Sequence, residues 1–255
     1  MNYLEVFMKK ILTACMVLAA AAGSVFADWD KTINFGMSFP VFNQKYEIED
    51  SEDDDDAKVS GIGVNFDVQG RFVNNNNNLA LLAGYSVGYL CIKAKDFLGD
   101  DYSGDVGGIN QSIIGGIGYR FVNTERFQLT ASVLAGMTFV NLSTDLSYSD
   151  VDEEDGIPFS MKADFDYSAF DFELGADIFA QFYFTEHWGI SASCTALFTV
   201  AGSGEMEIDI KRVSIPGVGS YTPGALGMSG KVSDDIDVKP GSFIFVPRIM
   251  ATYRF

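Results

Sequence analysis

Asp67, Arg71, Arg120, Asp171, Glu173, Asp177, Arg248 and Arg254 are the side chains of this 255-residue chain whose types and spacing best suit joint chemistry. Each sits in a run where apolar and polar residues alternate, and each falls on the polar side of its run. Four carboxylates and four guanidiniums on enclosed faces predict an ion-paired interior, because a lone buried charge is costly. Counted from the run ends, Asp67, Asp177 and Arg248 fall near mid-height, and Arg71, Arg120 and Arg254 near one rim. Two uses are open for such a set. One is a polar plug. The other is a narrow gated pore, for which the glycines on the same faces (Gly36, Gly63, Gly84, Gly88, Gly116, Gly118, Gly136, Gly175) would leave room.

Other candidate groups give less. The loops Asn43–Lys58, Lys93–Asp105, Asn141–Tyr167 and Ala201–Gly241 hold 26 of the 35 Asp and Glu. Clustered carboxylates suit Ca²⁺, but Asp150 to Gly156 departs from the EF-hand pattern: its glycine stands seventh and the twelfth residue is Met161. Solvated acidic loops are the expectation, with no metal and no cofactor. The single histidine, His187, lies in a tight turn, away from the loops where an outer-face Ser–His mechanism would sit. No catalysis is expected. Cys91 and Cys194 lie on non-adjacent strands and predict no disulfide. A net charge of -18 excludes nucleic acid as a partner, since a phosphate backbone needs a basic face.

The elements that position these residues are strands. In Phe170 to Phe184 the even positions are all apolar (Phe170, Phe172, Leu174, Ala176, Ile178, Ala180, Phe182, Phe184), and the odd ones mostly polar or small. Seven further segments repeat the pattern: Ile33–Val41, Ile62–Phe72, Leu79–Tyr89, Asn110–Phe121, Phe127–Phe139, Ile190–Val200 and Phe243–Phe255. Three short turns (Asn74–Asn78, Val122–Glu125, Thr185–Trp188) alternate strictly with the four long loops. Short turns on one rim and long loops on the other predict an all-β, eight-stranded, antiparallel up-and-down transmembrane β-barrel with both termini at the short-turn, periplasmic side. Met206, Ile208 and Ile210 also alternate. They either continue the seventh strand above the membrane or form a membrane hairpin of their own, which would make ten strands.

Outward parity gives a periplasmic aromatic girdle of Phe72, Phe121, Phe127, Phe182, Phe184, Trp188, Tyr253 and Phe255. Residues 1–27 read as a secretory signal peptide: Lys9 and Lys10, an apolar stretch, then Val25-Phe26-Ala27 before cleavage. Met8 is the better start. Residues 28–255 form the barrel. Pro40 and Pro247, on the two strands that close it, are expected at similar height, as a pair of bulges or as a weakened seam open to the membrane.

With these residues in view, the chain resembles the small outer-membrane barrel families: the OmpA transmembrane domain, OmpX, the opacity proteins and OmpW. The turn Phe184-Thr185-Glu186-His187-Trp188-Gly189-Ile190 and the ending Tyr253-Arg254-Phe255 carry the resemblance. It implies outer-membrane lipid as surroundings, Tyr253 and Phe255 as the signal read by the barrel-assembly machinery, and a monomer. It implies a structural or surface-interaction role, with an extracellular ligand for the acidic loops. A small channel for ions or apolar molecules, with lateral exit at the first-to-last-strand seam, is the alternative. No peptidoglycan-binding domain follows Phe255, so the anchoring role of full-length OmpA-type proteins is not expected.

Overall fold

The computed structural model describes residues 29–48, 57–93, 102–103, 105–151, 158–227, 229–238, 240 and 242–255. The expected signal peptide, the acidic run Glu52 to Asp56, most of Lys93–Asp105 and the EF-hand-like residues 152–156 lie outside them. Twelve strands follow in order: β1 (Trp29–Ser38), β2 (Val41–Ile48), β3 (Ala57–Asn74), β4 (Leu79–Lys93), β5 (Tyr102–Ser103), β6 (Asp105–Asn123), β7 (Phe127–Val151), β8 (Pro158–Tyr183), β9 (Trp188–Ile215), β10 (Gly219–Tyr221), β11 (Lys231–Val238) and β12 (Phe243–Arg254). One turn of 3-10 helix, Pro223–Leu226, precedes β11.

Eight of these strands close an antiparallel ring, β1–β3–β4–β6–β7–β8–β9–β12 and back to β1. Closure pairs the edges that a sheet in lipid cannot leave open. β2 prolongs β1 beyond Pro40, and β11 precedes β12; the two pair with each other, β2 also with β3 and β11 with β9. The ring therefore continues past the membrane as a barrel of the same strand count. The stretch around Met206 to Ile210 is the outer part of β9 and returns as β11, so the barrel has eight strands and not ten.

The short turns form as their residues dictate. Asn74 Oδ1 accepts from the N–H of Asn76 (2.9 Å) and Asn77 (3.3 Å), and Asn78 takes the left-handed backbone (φ 59°) that asparagine tolerates. Thr124 Oγ1 accepts from Phe127 N–H at 2.9 Å, and Thr185 Oγ1 from Trp188 N–H at 2.9 Å.

On the outer surface the membrane layer is plain. Val133, Ile178 and Ile249 are 68%, 60% and 67% exposed, which suits lipid contact and not water. Aromatic residues bound this layer. At the short-turn rim Tyr119 meets Phe121, Phe182 meets Phe184, and Trp188, Tyr253 and Phe255 stack edge to face. At the far rim Phe139 lies against Phe170 (5.0 Å) and Phe198 against Phe243 (5.2 Å). From Phe182 to Phe170 along β8 is roughly 30 Å of height, at about 3.3 Å per residue and a tilt of about 40°.

Beyond that far rim the expected loops are largely strand. Asn141–Tyr167 is mostly the ladder of β7 and β8, and the first part of Ala201–Gly241 is β9. The reason is a change of chemistry without a change of geometry. Above the paired row Phe139–Phe170, outward positions turn polar (Asn141, Ser143, Asp145, Asp164, Asp166, Ser168). Inward ones turn apolar (Val140, Leu142, Leu146, Ala163, Phe165, Tyr167, Ala169), and all seven are buried. β9 joins them by a bulge: Thr199 pairs with Glu173 and Ala201 with Phe172, leaving Val200 unpaired. One extra residue exchanges the faces of a strand. Met206 and Ile208 therefore pack against the inner apolar cluster, while Glu205 and Asp209 take the same outward phase as Asp166 and Asp164.

Candidate functional site

The lumen is filled in three layers, each built by inward positions of the ring. At the short-turn rim the centre is Asp30. Its Oδ2 accepts from Arg120 Nη1 at 3.1 Å and Gln128 Nε2 at 3.0 Å, and Arg254 Nε lies 3.3 Å from Oδ1. Arg120 Nη2 also donates to Asn75 Oδ1 at 2.9 Å, and the Arg254 guanidinium lies 3.7 Å over the Tyr183 ring. From sequence, the partners expected for Arg120 and Arg254 are acids inside the strands. Their partner is Asp30, which stands before the first alternating residue counted there. Extending the even, inward parity of Thr32, Asn34 and Gly36 back by one step finds it.

At mid-height a continuous network crosses the lumen. Arg248 Nε donates to Asp67 Oδ1 at 2.9 Å, and its Nη1 donates to Thr195 Oγ1. The Thr195 hydroxyl donates to Asp177 Oδ1 at 2.7 Å, and Arg71 Nη2 donates to Asp177 Oδ2 at 2.5 Å. β3 carries both Asp67 and Arg71, so the network leaves β3, passes through β12, β9 and β8, and returns. β3 and β8 stand opposite each other in the ring, and the Arg71–Asp177 pair spans it. The Arg71 guanidinium also lies 3.5 Å from the centre of the buried Phe179 ring. Asn34 ties a neighbouring row, its Oδ1 accepting from Thr252 Oγ1 at 2.7 Å.

Gly36 lets β1 and β12 approach closely. It pairs with Asp67 on one side and Met250 on the other. A Cβ there would stand 2.2 Å from Ile249 O and 2.6 Å from Met250 Cα. At Gly175 the same test gives 2.0 Å to Ala196 O. The inward glycines expected to leave an open lumen instead let neighbouring strands approach closely around a narrow barrel.

The third layer is the apolar cluster of the far half, with Phe42, Leu90, Ile92, Val106, Leu146, Phe165, Tyr167, Ile244 and Val246 buried among the rest. The lumen was expected to be plugged by charge. In the structure the charge lies toward the short-turn side, and a hydrophobic core fills the far half and reaches into the membrane half through Ile114, Leu134 and Leu197. Asp171 and Glu173 lie near the boundary. Both are fully buried, and Glu173 Oε2 accepts from Thr138 Oγ1 at 3.1 Å instead of from an arginine.

The remaining candidates are placed as follows. Phe72, Phe121, Phe127, Phe182, Phe184, Trp188, Tyr253 and Phe255 all stand toward the short-turn end of their strands. His187 is exposed, its Nδ1 3.0 Å from Arg254 O and its ring stacked on Tyr253, a tie between the last turn and the chain end. Cys91 and Cys194 are free and exposed. Pro40 and Pro247 do share a height: Phe39 N–H donates to Pro247 O at 3.0 Å, and Gly63 N–H to Pro40 O at 2.8 Å. The seam is laddered on both sides of them, by Thr32–Ser38 against Arg254–Arg248 and by Val41–Asn43 against Phe245–Phe243. No group of three or more His, Cys, Asp or Glu among the described residues is arranged to hold a metal.

Outside the far rim, carboxylates face each other across strands: Asp145, Asp164 and Asp209 in one row, Asp166 and Glu207 in the next. Lys211 sits among them, 2.7 Å from Asp209 and 2.9 Å from Asp164, and Lys231 is 2.7 Å from Glu207. The hydrogen bonds to Asp209 and then Asp164 hold the Lys211 ammonium above its ordinary pKa, and Glu207 does the same for Lys231.

Among solved structures, the attachment invasion locus protein Ail of Yersinia pestis, solved with the heparin analogue sucrose octasulfate, aligns over 89% of this chain and 99% of its own. The identity is 14% and the TM-score 0.37. OprG from Pseudomonas aeruginosa aligns over 89% and 95%, at 14% identity and a TM-score of 0.43. The outer membrane protease OmpT from Escherichia coli aligns over 91% and 98%, at 7% identity and a TM-score of 0.40. No curated protein matches the sequence as a relative. The model of the outer membrane protein beta-barrel domain matches residues 12–215, most of the eight-stranded ring just described, and the chain belongs to that outer-membrane family.

Proposed function

We propose that this protein is a non-conducting outer-membrane barrel, without catalysis, that acts through its outward-facing surface. The observation that carries this reading is the lumen, filled first by a crossing ion-paired network and then by an apolar core. Water and ions find no continuous polar path through both. In this reading the short-turn rim and both termini lie in the periplasm, and the barrel is a monomer in lipid. Tyr253 and Phe255 are the residues that the assembly machinery reads. The outer half of β7, β8 and β9 then stands clear of the membrane and presents its acidic wall (Asp164, Asp166, Glu205, Glu207, Asp209) to a partner of basic character. His187, held against the Arg254 carbonyl at the opposite rim, has no place in a mechanism at that wall.

Planar-bilayer recording on the purified protein tests the lumen; traces at background are expected, and steady unitary conductance would overturn the reading. A basic peptide added to the same preparation tests the wall. Saturable binding lost in the triple variant Asp166→Asn, Glu205→Gln, Glu207→Gln is expected, and binding unchanged by those substitutions would remove the wall from the proposal.

A further inference from the structure

Between the ion-paired network and the apolar core lies a cavity of about 40 Å³. Arg248 borders it on the network side, and Leu90 and Val246 on the core side. Between them stand Asn65, Asn110 and Glu173, which are 4%, 4% and 0% exposed. Asn65 Oδ1, Asn110 Oδ1 and Glu173 Oε1 are buried with no hydrogen-bond partner among the described residues. The other polar atoms of Asn65 and Glu173 are committed. Asn65 Nδ2 donates to Ser86 Oγ at 3.0 Å, and Glu173 Oε2 accepts from Thr138. Arg248, the cation nearest in the lining, already donates through Nε to Asp67 and through Nη1 to Thr195.

Three residues that line one space each carry a buried, unpartnered oxygen, and all three oxygens are acceptors. Leaving them bare is costly, so the space calls for an occupant that donates hydrogen bonds or carries positive charge. The volume exceeds the roughly 10–15 Å³ that one water requires, and it excludes an organic cation of choline size. Oxygen donors alone suit a hard ion. A single carboxylate balances one positive charge and not two, whereas calcium sites carry several carboxylates. We propose that the cavity binds one small monovalent cation, sodium or potassium, with Glu173 supplying the charge and Asn65 and Asn110 supplying neutral oxygens. The ion compensates a carboxylate whose bonded partner is the Thr138 hydroxyl and not an arginine. The site is independent of the proposed function, because a bound ion neither needs nor implies a conducting lumen.

Thermal unfolding of the detergent-solubilised protein, followed by heat-modifiable gel mobility, tests this in sodium, potassium and choline chloride at equal ionic strength. A ligand that binds the folded state alone raises the midpoint. The wild type is expected to melt a few degrees higher in sodium or potassium than in choline, and Glu173→Gln is expected to abolish that difference. Equal midpoints in all three salts for the wild type would overturn the site. So would a difference that Glu173→Gln retains, since it would belong to the surface carboxylates. Should Glu173→Gln fail to fold, Asn110→Leu serves as the second variant with the same expectation. Wild-type crystals grown in rubidium chloride give a direct reading: an anomalous peak in the cavity supports the site, and its absence overturns it.

Discussion

β8 is two strands in one, and its halves are inside-out copies of each other. From Phe170 to Phe182 its outward residues are apolar, and its inward ones include Asp171, Glu173, Asp177 and Gln181. From Ala163 to Ala169 its inward residues are apolar, and Asp164, Asp166 and Ser168 face outward. On its β7 side no bulge separates the halves; Ala169 and Phe170 pair with Val140 and Phe139 in unbroken register. Geometry is thus constant across the boundary while the surroundings change from lipid to water. The lower half puts apolar groups outside because lipid is there, and must satisfy polar groups inside a narrow lumen. The upper half obeys the rule of any water-soluble barrel. The two halves should therefore fail in different ways.

The largest expected effect comes from placing the lower half's chemistry in the upper half. Phe165→Asp removes a buried ring and leaves a carboxylate among Tyr167, Leu146 and Ile208. A loss above about 5 kcal/mol is expected for the outer half. The ladder and the ion-paired network of the membrane half do not involve Phe165 and should persist. Limited trypsin digestion reads this: cleavage at Lys162, Lys211 and Lys231 should become rapid, with the membrane-spanning parts of the strands left uncut between these sites. If both halves are lost together, the barrel folds as one unit and the comparison fails.

Next in size is the breaking of a buried charge pair. Asp177→Ala leaves Arg71 unpaired across the lumen and should cost about 3–5 kcal/mol in urea unfolding from lipid vesicles. Arg71→Met combined with Asp177→Leu replaces both charges and should lie near the wild type, since paired burial offsets its own desolvation only in part. A double variant as unstable as the single one would show that the network contributes more than charge neutrality to the lower half.

The contrast between the halves also explains what could be read from sequence. Strand existence, phase and turn positions in the membrane half were legible, because lipid demands unbroken apolar alternation on one face. The outer half was taken for loop because the same test, apolar at odd positions of β7 or even positions of β8, stops at Phe139 and Phe170. The signal was present in the opposite phase, as Leu142 and Leu146 on β7 and as Ala163, Phe165, Tyr167 and Ala169 on β8. Two adjacent apolar residues, Phe139-Val140 and Ala169-Phe170, mark the crossing point in each strand. The bulge at Val200 was not legible: nothing local to Thr199-Val200-Ala201 distinguishes it, and it is defined only by the pairing with Glu173 and Phe172. Of the luminal charges, those inside strands were found by parity, while Asp30 fell outside the counted segment. The partnership of Arg71 with Asp177 depends on which strands stand opposite in a closed ring, a property of the strand count and not of local pattern.

The smallest effect sharpens the same comparison, since it concerns a charge cluster of similar composition placed in water. Lys211 stands between Asp164 and Asp209, which face each other across β8 and β9. On an exposed surface the attraction is weak and the two carboxylates are hydrated with or without the lysine. Lys211→Met should shift the urea midpoint of the outer half only slightly at 150 mM salt, because an exposed pair contributes little. At 10 mM salt a larger loss should appear, as the facing carboxylates repel across the ladder. The lysine pKa is raised in the folded state, so its stabilisation is complete below the unfolded value of about 10.4 and declines only as pH climbs past it through the folded one. Between pH 6 and 9 the difference between wild type and variant should therefore stay constant at either salt. A variant that loses as much stability at 150 mM as Asp177→Ala does would mean that the outer wall is as dry as the lumen, and the distinction between the two halves would not hold.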